Sequence, residues 1–397
     1  MDRIDKDSVA EIEFQLKWKS SEGGHTDTSL QMVNFWRDIL PESIYEALMG
    51  AVPGDRKSFR FSPGAGLPDY NPGDKRHLKR GQFNEDLAEP RYGRFYPKGV
   101  LRELYNVYPQ NVQPIRCVGV DRGKLDVDLN HPLAGRDIEV TTVVHNIFPK
   151  PFDRGGRCQE MMETIAEGPG MQARYNGRPT EFLTPDAFVR GDETRDARFY
   201  EKPRLVTHID ELAIETISSL YGQILDPEMR VLDLMSSWRS HVPDSVKPRT
   251  LIGLGMNAAE MIDNPQLTEH IVHDLNADPM LPFDNESFER VICTVSVEYM
   301  TQPVAVFDEI ARTLKPGGIL MHTFSNRWFP PKAIKLWTDL HEFERMGLVL
   351  EYFQRSGKFT GLETFSTRGW DRPETDKYYP DMPQSDPVYA VWGRKAA

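Results

Sequence analysis

Two folds are predicted within this chain: an α/β carboxyl-terminal half built on a doubly wound, parallel sheet, and a separate α+β domain in the amino-terminal third. Three observations carry the prediction. Apolar strand-like runs alternate with amphipathic stretches across residues 231–326, the first of those runs ends in a carboxylate at Asp233, and the amino-terminal third shows period-two alternation and turn chemistry of its own.

Taken in order, residues 9–18 alternate as a strand does, 39–48 have helical spacing, and Gly50-Ala51-Val52-Pro53-Gly54-Asp55 is turn chemistry leading into a strand at 57–61. A further strand, 138–147, follows Asn130-His131-Pro132-Leu133-Ala134-Gly135. Residues 148–198 are rich in Gly, Pro and charge and read as a linker with one amphipathic stretch, 158–166. It is long for a plain connector and carries Met161, Met162, Met171 and Phe182, so part of it is expected to pack over a site as a lid. The domains are therefore drawn as 1–147, the linker 148–198, and 199–397.

In the carboxyl-terminal part, a helix at 209–221 precedes strand runs at 230–234, 250–254, 290–295 and 319–324. The helix at 304–314 stops at Lys315-Pro316-Gly317-Gly318, as a helix should. After the first strand stands Met235-Ser236-Ser237-Trp238-Arg239-Ser240-His241, where a Gly-rich turn would be expected. Side chains resist the torsions and close ligand approach that glycine permits.

Composition narrows the function classes. With 60 acidic against 48 basic residues the net charge is −12, which opposes attraction to nucleic acid or anionic membrane. No apolar run approaches the ~20 residues of a membrane helix, and the first ten residues are too polar for a signal peptide. The cysteines, Cys117, Cys158 and Cys293, lack ligand or disulfide spacing, so no metal site is expected. A soluble cytoplasmic protein with a small-molecule partner follows, with homo-oligomerisation left open.

Asp274-Leu275-Asn276, with Leu281-Pro282-Phe283 and Ser287-Phe288-Glu289-Arg290-Val291, resembles the third strand and adenine loop of class I S-adenosylmethionine (SAM)-dependent methyltransferases. Leu314-Lys315-Pro316-Gly317-Gly318 resembles that family's signature before strand five. The similarity covers roughly residues 200–350 and implies a Rossmann-like sheet with SAM as cofactor. The departures are Met235 and Ser237, where the family has Gly, and Gly255, where it places an acid that holds the ribose. The resemblance implies a cofactor site at Asp233, Met235, Asp274, Leu275, Asn276, Thr294 and Val295. Ser236 and Ser237 hydroxyls are expected at the amino-acid end of SAM, and Asn257 at its ribose. The segment ahead of strand one, with Tyr200, Arg204 and His208, is expected to close over SAM, Arg204 meeting its carboxylate; helix capping and surface charge are the bland alternative.

The amino-terminal domain resembles FKBP-type peptidyl-prolyl isomerases of the SlyD kind. The resemblance lies in residues 40–55, in Tyr92-Gly93 and in the Asn130–Gly135 run, and residues 94–129 fall where that family carries a chaperone flap. It implies an aromatic pocket for an X-Pro bond, lined by Tyr92, with Phe35 or Trp36 as further walls. Glu42-Ser43 near the family's usual Pro-Gly, and a charged insertion at 69–90, depart from the pattern. A docking or folding module is the alternative.

Methyl transfer requires nucleophile and methyl to be held close and dry. The candidates for catalysis are His241 as proton acceptor, with Tyr200 and Tyr299. The stretches after strands four and five supply mostly apolar or aromatic neighbours, including Trp328 and Phe329. By elimination, that combination suits a small thiol or sulfide, whose thiolate forms with modest help. The competing reading is an isomerase or chaperone joined to a non-catalytic methyltransferase-like scaffold.

Overall fold

The computed structural model describes residues 3–150 and 158–397. The chain divides into two compact units, Met1–Phe182 and Leu183–Ala397. That division falls inside the stretch expected to link them. Residues 158–182 join the first unit because their apolar side chains, Met161, Met162 and Ile165 among them, are buried in its core.

In the first unit, strands β1 (Ser8–Lys19), β2 (Gly23–Asn34) and β3 (Arg56–Phe61) are joined by helix α1 (Glu42–Leu48). An insertion follows with β4 (Lys75–Lys79), β5 (Phe95–Pro97), β6 (Pro114–Val120) and β7 (Lys124–Asp128), and the chain returns through β8 (Ile138–Pro149). The order β2-β1-β8-β3 is antiparallel throughout. The period-two pattern of β1 explains its seating: Ala10, Ile12, Phe14, Leu16 and Trp18 enter the core while the alternate residues face outward. The sequence hides β2 because its buried face is polar. Asp27 there accepts from the Trp18 indole N–H at 2.8 Å.

The insertion forms its own four-stranded sheet, β4-β7-β6-β5, over a separate apolar cluster that includes Phe83, Ile115, Leu125 and Val127. The charged stretch 69–90 thus contributes a strand, β4, in which Leu78 is buried and the flanking basic residues are not. After β8, helix α2 (Met161–Ile165) enters the main core of this unit. Farther on, Gly170 (φ +100°) lies so close to Pro132 that a Cβ would sit 2.7 Å from its backbone.

The second unit begins with a non-helical run and the short helix α3 (Asp196–Phe199), then α4 (Glu211–Gly222), whose N-cap Asp210 accepts from Ala213 N–H. Strands β9 (Arg230–Leu234), β10 (Thr250–Gly255), β11 (Glu269–Val272), β12 (Phe288–Thr294) and β13 (Leu314–Phe324) follow, with α5 (Ala258–Ile262) and α6 (Pro303–Thr313) between them. Last come α7 (Lys335–Thr338), α8 (Glu342–Ser356), β14 (Phe359–Arg368) and β15 (Val388–Lys395).

The strand order is β11-β10-β9-β12-β13-β15-β14. The first five strands are parallel, but β15 runs antiparallel between β13 and β14, so the sheet is mixed where a parallel one is predicted. The order reverses between β9 and β12, and ligands bind beyond the carboxyl ends of strands at such a switch point. Among the described residues no helix is long and apolar enough to cross a membrane.

The run ahead of α4 is held down by buried charge. Asp196 accepts from Arg190 at 2.8 Å and from Asn276 at 2.8 Å, and pairs with Lys332 at 3.1 Å. The Lys332 side chain is fully buried and also donates to the carbonyls of Asp192 and Thr194. Removing one member of such a cluster leaves the others desolvated and underpaired. Lys332→Ala is therefore expected to destabilise the protein by about 3–5 kcal/mol, read as a lower urea midpoint; an unchanged midpoint would show that the cluster contributes nothing.

Candidate functional site

At the carboxyl ends of β9, β10 and β12 lies a cavity of about 510 Å³, within the ~300–1,000 Å³ typical of small-molecule sites. Its floor is the loop after β9. Met235 takes φ 56° without being glycine, and Ser236 N–H donates to Leu254 C=O at 2.8 Å, so the loop runs on against β10. Asp233 is buried and accepts from the hydroxyls of Ser236 (2.5 Å) and Ser240 (2.6 Å). Burial pushes its carboxyl up to about 7 while the two hydroxyl bonds pull the other way.

This arrangement accounts for the missing acid on the second strand. A Cβ on Gly255 would lie 2.1 Å from the Ser236 carbonyl oxygen, so the loop backbone occupies the space that an acidic side chain at 255 would need. The glycine absent from the loop is present on its neighbouring strand.

Several side chains assigned to a ligand by the sequence reading are engaged elsewhere. Ser236 donates its hydroxyl to Asp233, and Ser237 donates to Glu260 at 2.7 Å, so neither proton is free for the amino-acid end of a ligand. Asn257 caps α5 by accepting from Glu260 N–H, and its amide donates to the carbonyls of Tyr200 and Glu201. Its carboxamide is thus spent on local structure and is not offered to a ribose. Asn276 donates to Asp196 and to the Tyr299 carbonyl and accepts from both Thr301 donors. It ties the entry segment to the strand ends. Leu275 is buried and supplies apolar wall. Asp274 Oδ1 accepts from the N–H groups of Asn276 and Ala277, leaving Oδ2 without an intramolecular donor among the described residues.

Arg204 and His208 both line the cavity. Arg204 rests on the rings of Phe199 (4.6 Å) and Phe329 (5.3 Å) and donates through Nη2 to the Phe199 carbonyl, while Nη1 is buried without an acceptor. An orphaned donor of this kind fits a ligand carboxylate. His208 packs edge-on against Phe329 at 4.9 Å. Burial, then the cations Lys377 and Arg204, hold its pKa below the usual imidazole value.

The proposed catalytic residues are brought together on the cavity wall, but as weak bases. Burial lowers His241, itself at φ 55°, to about 4. Burial pushes the phenols of Tyr200 and Tyr299 upward, so both stay protonated, and the Tyr299 oxygen accepts from Phe329 N–H at 2.8 Å. Thr294 shares a 2.6 Å hydrogen bond with Tyr221. Val295 has φ 45°, an uncommon torsion for a β-branched residue, fixed by its N–H donating to Thr323 C=O at 2.7 Å. Met235, His241 and Val295 thus concentrate backbone strain at the site.

Two carboxylates were missed. Glu260 lines the cavity and accepts from Arg204 N–H (2.7 Å) and Ser237; the spacing Asn257-x-x-Glu260 was its signal, an N-cap residue followed by an acid in the first turn. Glu298 is fully buried beside Tyr299, with neither oxygen in a hydrogen bond. It belongs to the run 294–299 that the sequence places near the methyl, but residue type gives no sign of its burial.

A methyltransferase-domain family model matches residues 254–322. The biotin biosynthesis bifunctional protein BioHC of Teredinibacter turnerae is 27% identical over 151 residues, covering 38% of this chain and 22% of that protein. The chain thus spans about a fifth of the length of that curated relative. Among solved structures, an S-adenosylmethionine-dependent methyltransferase from Mesorhizobium loti is 13% identical, covering 45% of this chain and 96% of that one at a TM-score of 0.29. The geranyl diphosphate C-methyltransferase of Streptomyces coelicolor, in complex with magnesium, geranyl diphosphate and S-adenosyl-L-homocysteine, is 12% identical over 50% and 97% at 0.31. The methyltransferase-domain match lies within the carboxyl-terminal unit, from the end of β10 into β13.

Glu298, buried behind the cavity wall, makes the stability of the fold sensitive to pH. Burial raises its carboxyl from 4.5 to about 8, so between those values the folded protein holds a proton that the unfolded chain releases, and stability falls as pH rises. Asp233 titrates with the same sign. Glu298→Gln should flatten the loss of stability between about pH 4.5 and 8, by on the order of 1–3 kcal/mol in a pH series of urea midpoints. A slope identical to the parent's would refute the assignment.

Proposed function

We propose that the carboxyl-terminal unit transfers the methyl group of SAM to a small molecule, and that the acceptor is a small thiol or sulfide, of which hydrogen sulfide and methanethiol are the simplest. The observation that carries this reading is that the imidazoles and phenols of the wall are poor bases, while Asp233 is held by the Ser236 and Ser240 hydroxyls and Glu260 by Arg204 N–H and Ser237. His241 and His208 are held below the usual imidazole range, and Tyr200 and Tyr299 are held protonated. An alcohol needs a matched base to lose its proton, whereas a thiol ionises near neutral pH and its thiolate is strongly nucleophilic. The aromatic wall of Tyr299, Trp328 and Phe329 suits a soft acceptor in a water-poor space.

Arg204 is assigned to the carboxylate of SAM, Asp274 to the adenine amine, and Glu260 takes the ribose role that Gly255 cannot fill. When bound, SAM supplies the electrophile: a thiolate pair forms the new carbon–sulfur bond as the old bond breaks with its pair to the sulfonium sulfur, the thiol proton having left to solvent. Met235 and Val295, with their fixed torsions, hold the loop edges against which the reactants rest. The relative from Teredinibacter turnerae is named for biotin biosynthesis, which is small-molecule chemistry and in keeping with a small-molecule acceptor.

For the amino-terminal unit we propose an FKBP/SlyD-like fold, supported by the sheet inserted between β3 and β8 and by the Asn130–Gly135 turn before β8. Its binding face is covered from within. The Arg178 guanidinium lies 3.7 Å over the Tyr92 ring, Tyr92 O–H donates to Tyr175 C=O, and Glu181 N–H donates to Tyr92 C=O. Phe35 is buried in the core, and Trp36 is flanked by Arg37 and Lys150.

In an assay with purified chain and SAM, a small thiol should be methylated at least tenfold faster than a catechol or an amine, with the rate rising through the thiol's ionisation. Efficient O- or N-methylation without thioether would retire the thiol reading. With a proline tetrapeptide the same chain should show background isomerisation only; robust activity abolished by Tyr92→Ala would overturn the covered-face reading.

A further inference from the structure

The cavity wall holds a second unsatisfied guanidinium donor, on Arg327. Arg327 follows β13 and lines the cavity with Asn326, Trp328 and Phe329. Its Nε pairs with Asp386 Oδ1 at 3.2 Å and its guanidinium lies 4.7 Å from the Tyr378 ring, while Nη2 is buried without an acceptor. A buried donor left unpaired costs free energy, and a guanidinium donor is best satisfied by an anion. The unpaired Nη1 of Arg204 is already given to the carboxylate of SAM, so the Arg327 donor is surplus to cofactor binding.

Asp386 does not remove the need. Its Oδ1 is shared with Arg372 at 2.7 Å, and its Oδ2 accepts from Asp210 N–H at 3.0 Å. Arg372 in turn is shared among Asp210, Asp376 and Asp386. Arg327 is therefore the outermost member of a chain of ion pairs, fixed at one edge and unsatisfied at another. His208, which lines the same cavity, is held low by burial and then by Lys377, Arg204 and Arg327 together, so a positive field reaches that part of the wall. Glu260, whose carboxylate opposes that field at His208, is engaged by Arg204 N–H and Ser237.

We propose that Arg327 is an acceptor-binding residue that recognises an anionic group, a carboxylate, carried by the methyl acceptor at a distance from its nucleophile. The inference rests on the small-molecule methyltransferase reading and narrows it, from neutral sulfides to thiols that bear a carboxylate. Arg327 acts in binding and selection and takes no part in the methyl transfer itself.

The test uses the full chain saturated with S-adenosylhomocysteine, titrated calorimetrically with 3-mercaptopropionate and with its neutral amide. The carboxylate is expected to bind at least tenfold tighter than the amide. Arg327→Gln should abolish that preference and leave S-adenosylhomocysteine affinity within about twofold, which also shows that the variant is folded; Arg327→Lys should restore part of the preference. Equal binding of acid and amide by the parent, or a preference that survives in Arg327→Gln, would overturn the proposal. So would loss of S-adenosylhomocysteine affinity in both the Gln and Lys variants, which would place Arg327 at the cofactor instead. A companion methylation assay separates the two readings. Preferential carboxylate binding with no thioether formed retires the thiol acceptor and leaves the anion site standing; thioether formed equally from acid and amide retires the anion site and leaves the thiol standing.

Discussion

The carboxyl-terminal site depends on one buried carboxylate. Asp233 ends β9 and gathers the hydroxyls of Ser236 and Ser240 beneath the loop, and in doing so it replaces the freedom of a glycine turn with a clasp. Once the loop is held there, the Ser236 peptide lies against β10 and the strand must be glycine at 255. The acid of the second strand is then excluded, Ser237 is turned toward Glu260, and Glu260 is in turn joined to the segment that carries Arg204. One hydrogen-bonded carboxylate thus fixes the floor of the cavity and, through two further contacts, part of its wall. A hydroxyl clasp in a dry interior is worth more than the same contacts in water, since the alternative is an uncompensated carboxylate.

Parallel strands of the second unit were legible because burial on both faces leaves continuous apolar runs such as Val231-Leu232 and Val291-Ile292. The antiparallel pair β14 and β15 was not. In β14 the apolar residues Phe359, Leu362 and Phe365 fall three apart, which is not a strand's period, and α8 buries the charged residues Glu344, Arg345 and Glu351, which residue type alone places in solvent. Tertiary partners decide such residues, and a single sequence does not name the partners. The site shows the same division. Positions were legible, because strand ends at a topological switch point must line the crevice, and Asp233, Met235, Thr294 and Val295 do so. Roles were less legible: Ser236, Ser237, Asn257 and Asn276 have the right chemistry for a ligand but spend it on the protein.

Buried charge recurs through the second unit as the means of joining irregular segments to the sheet. Asp196 with Arg190 and Lys332 fixes the run ahead of α4, and Arg372 with Asp210 and Asp386 fixes the run ahead of β15. Loops carry too little apolar surface to be held by packing alone, and paired ions give direction where packing does not. Both networks reach the cavity wall, the first through Asp196 and the second through Arg327. In the first unit the equivalent task falls to apolar side chains, and Met161, Met162 and Ile165 carry the chain after β8 into the core.

The left-handed torsions of Met235, His241 and Val295 have a thermodynamic consequence for ligand uptake. A glycine loop samples many shapes when empty, and a ligand must supply the free energy to select one. Side-chain-bearing residues locked at φ near +50° by their neighbours have given up that freedom during folding. The entropy of ordering is then charged against the stability of the protein and not against the affinity of the complex. A site of this kind gains affinity from rigidity and loses tolerance, since a ligand of slightly different shape meets a wall that has no cheap way to move.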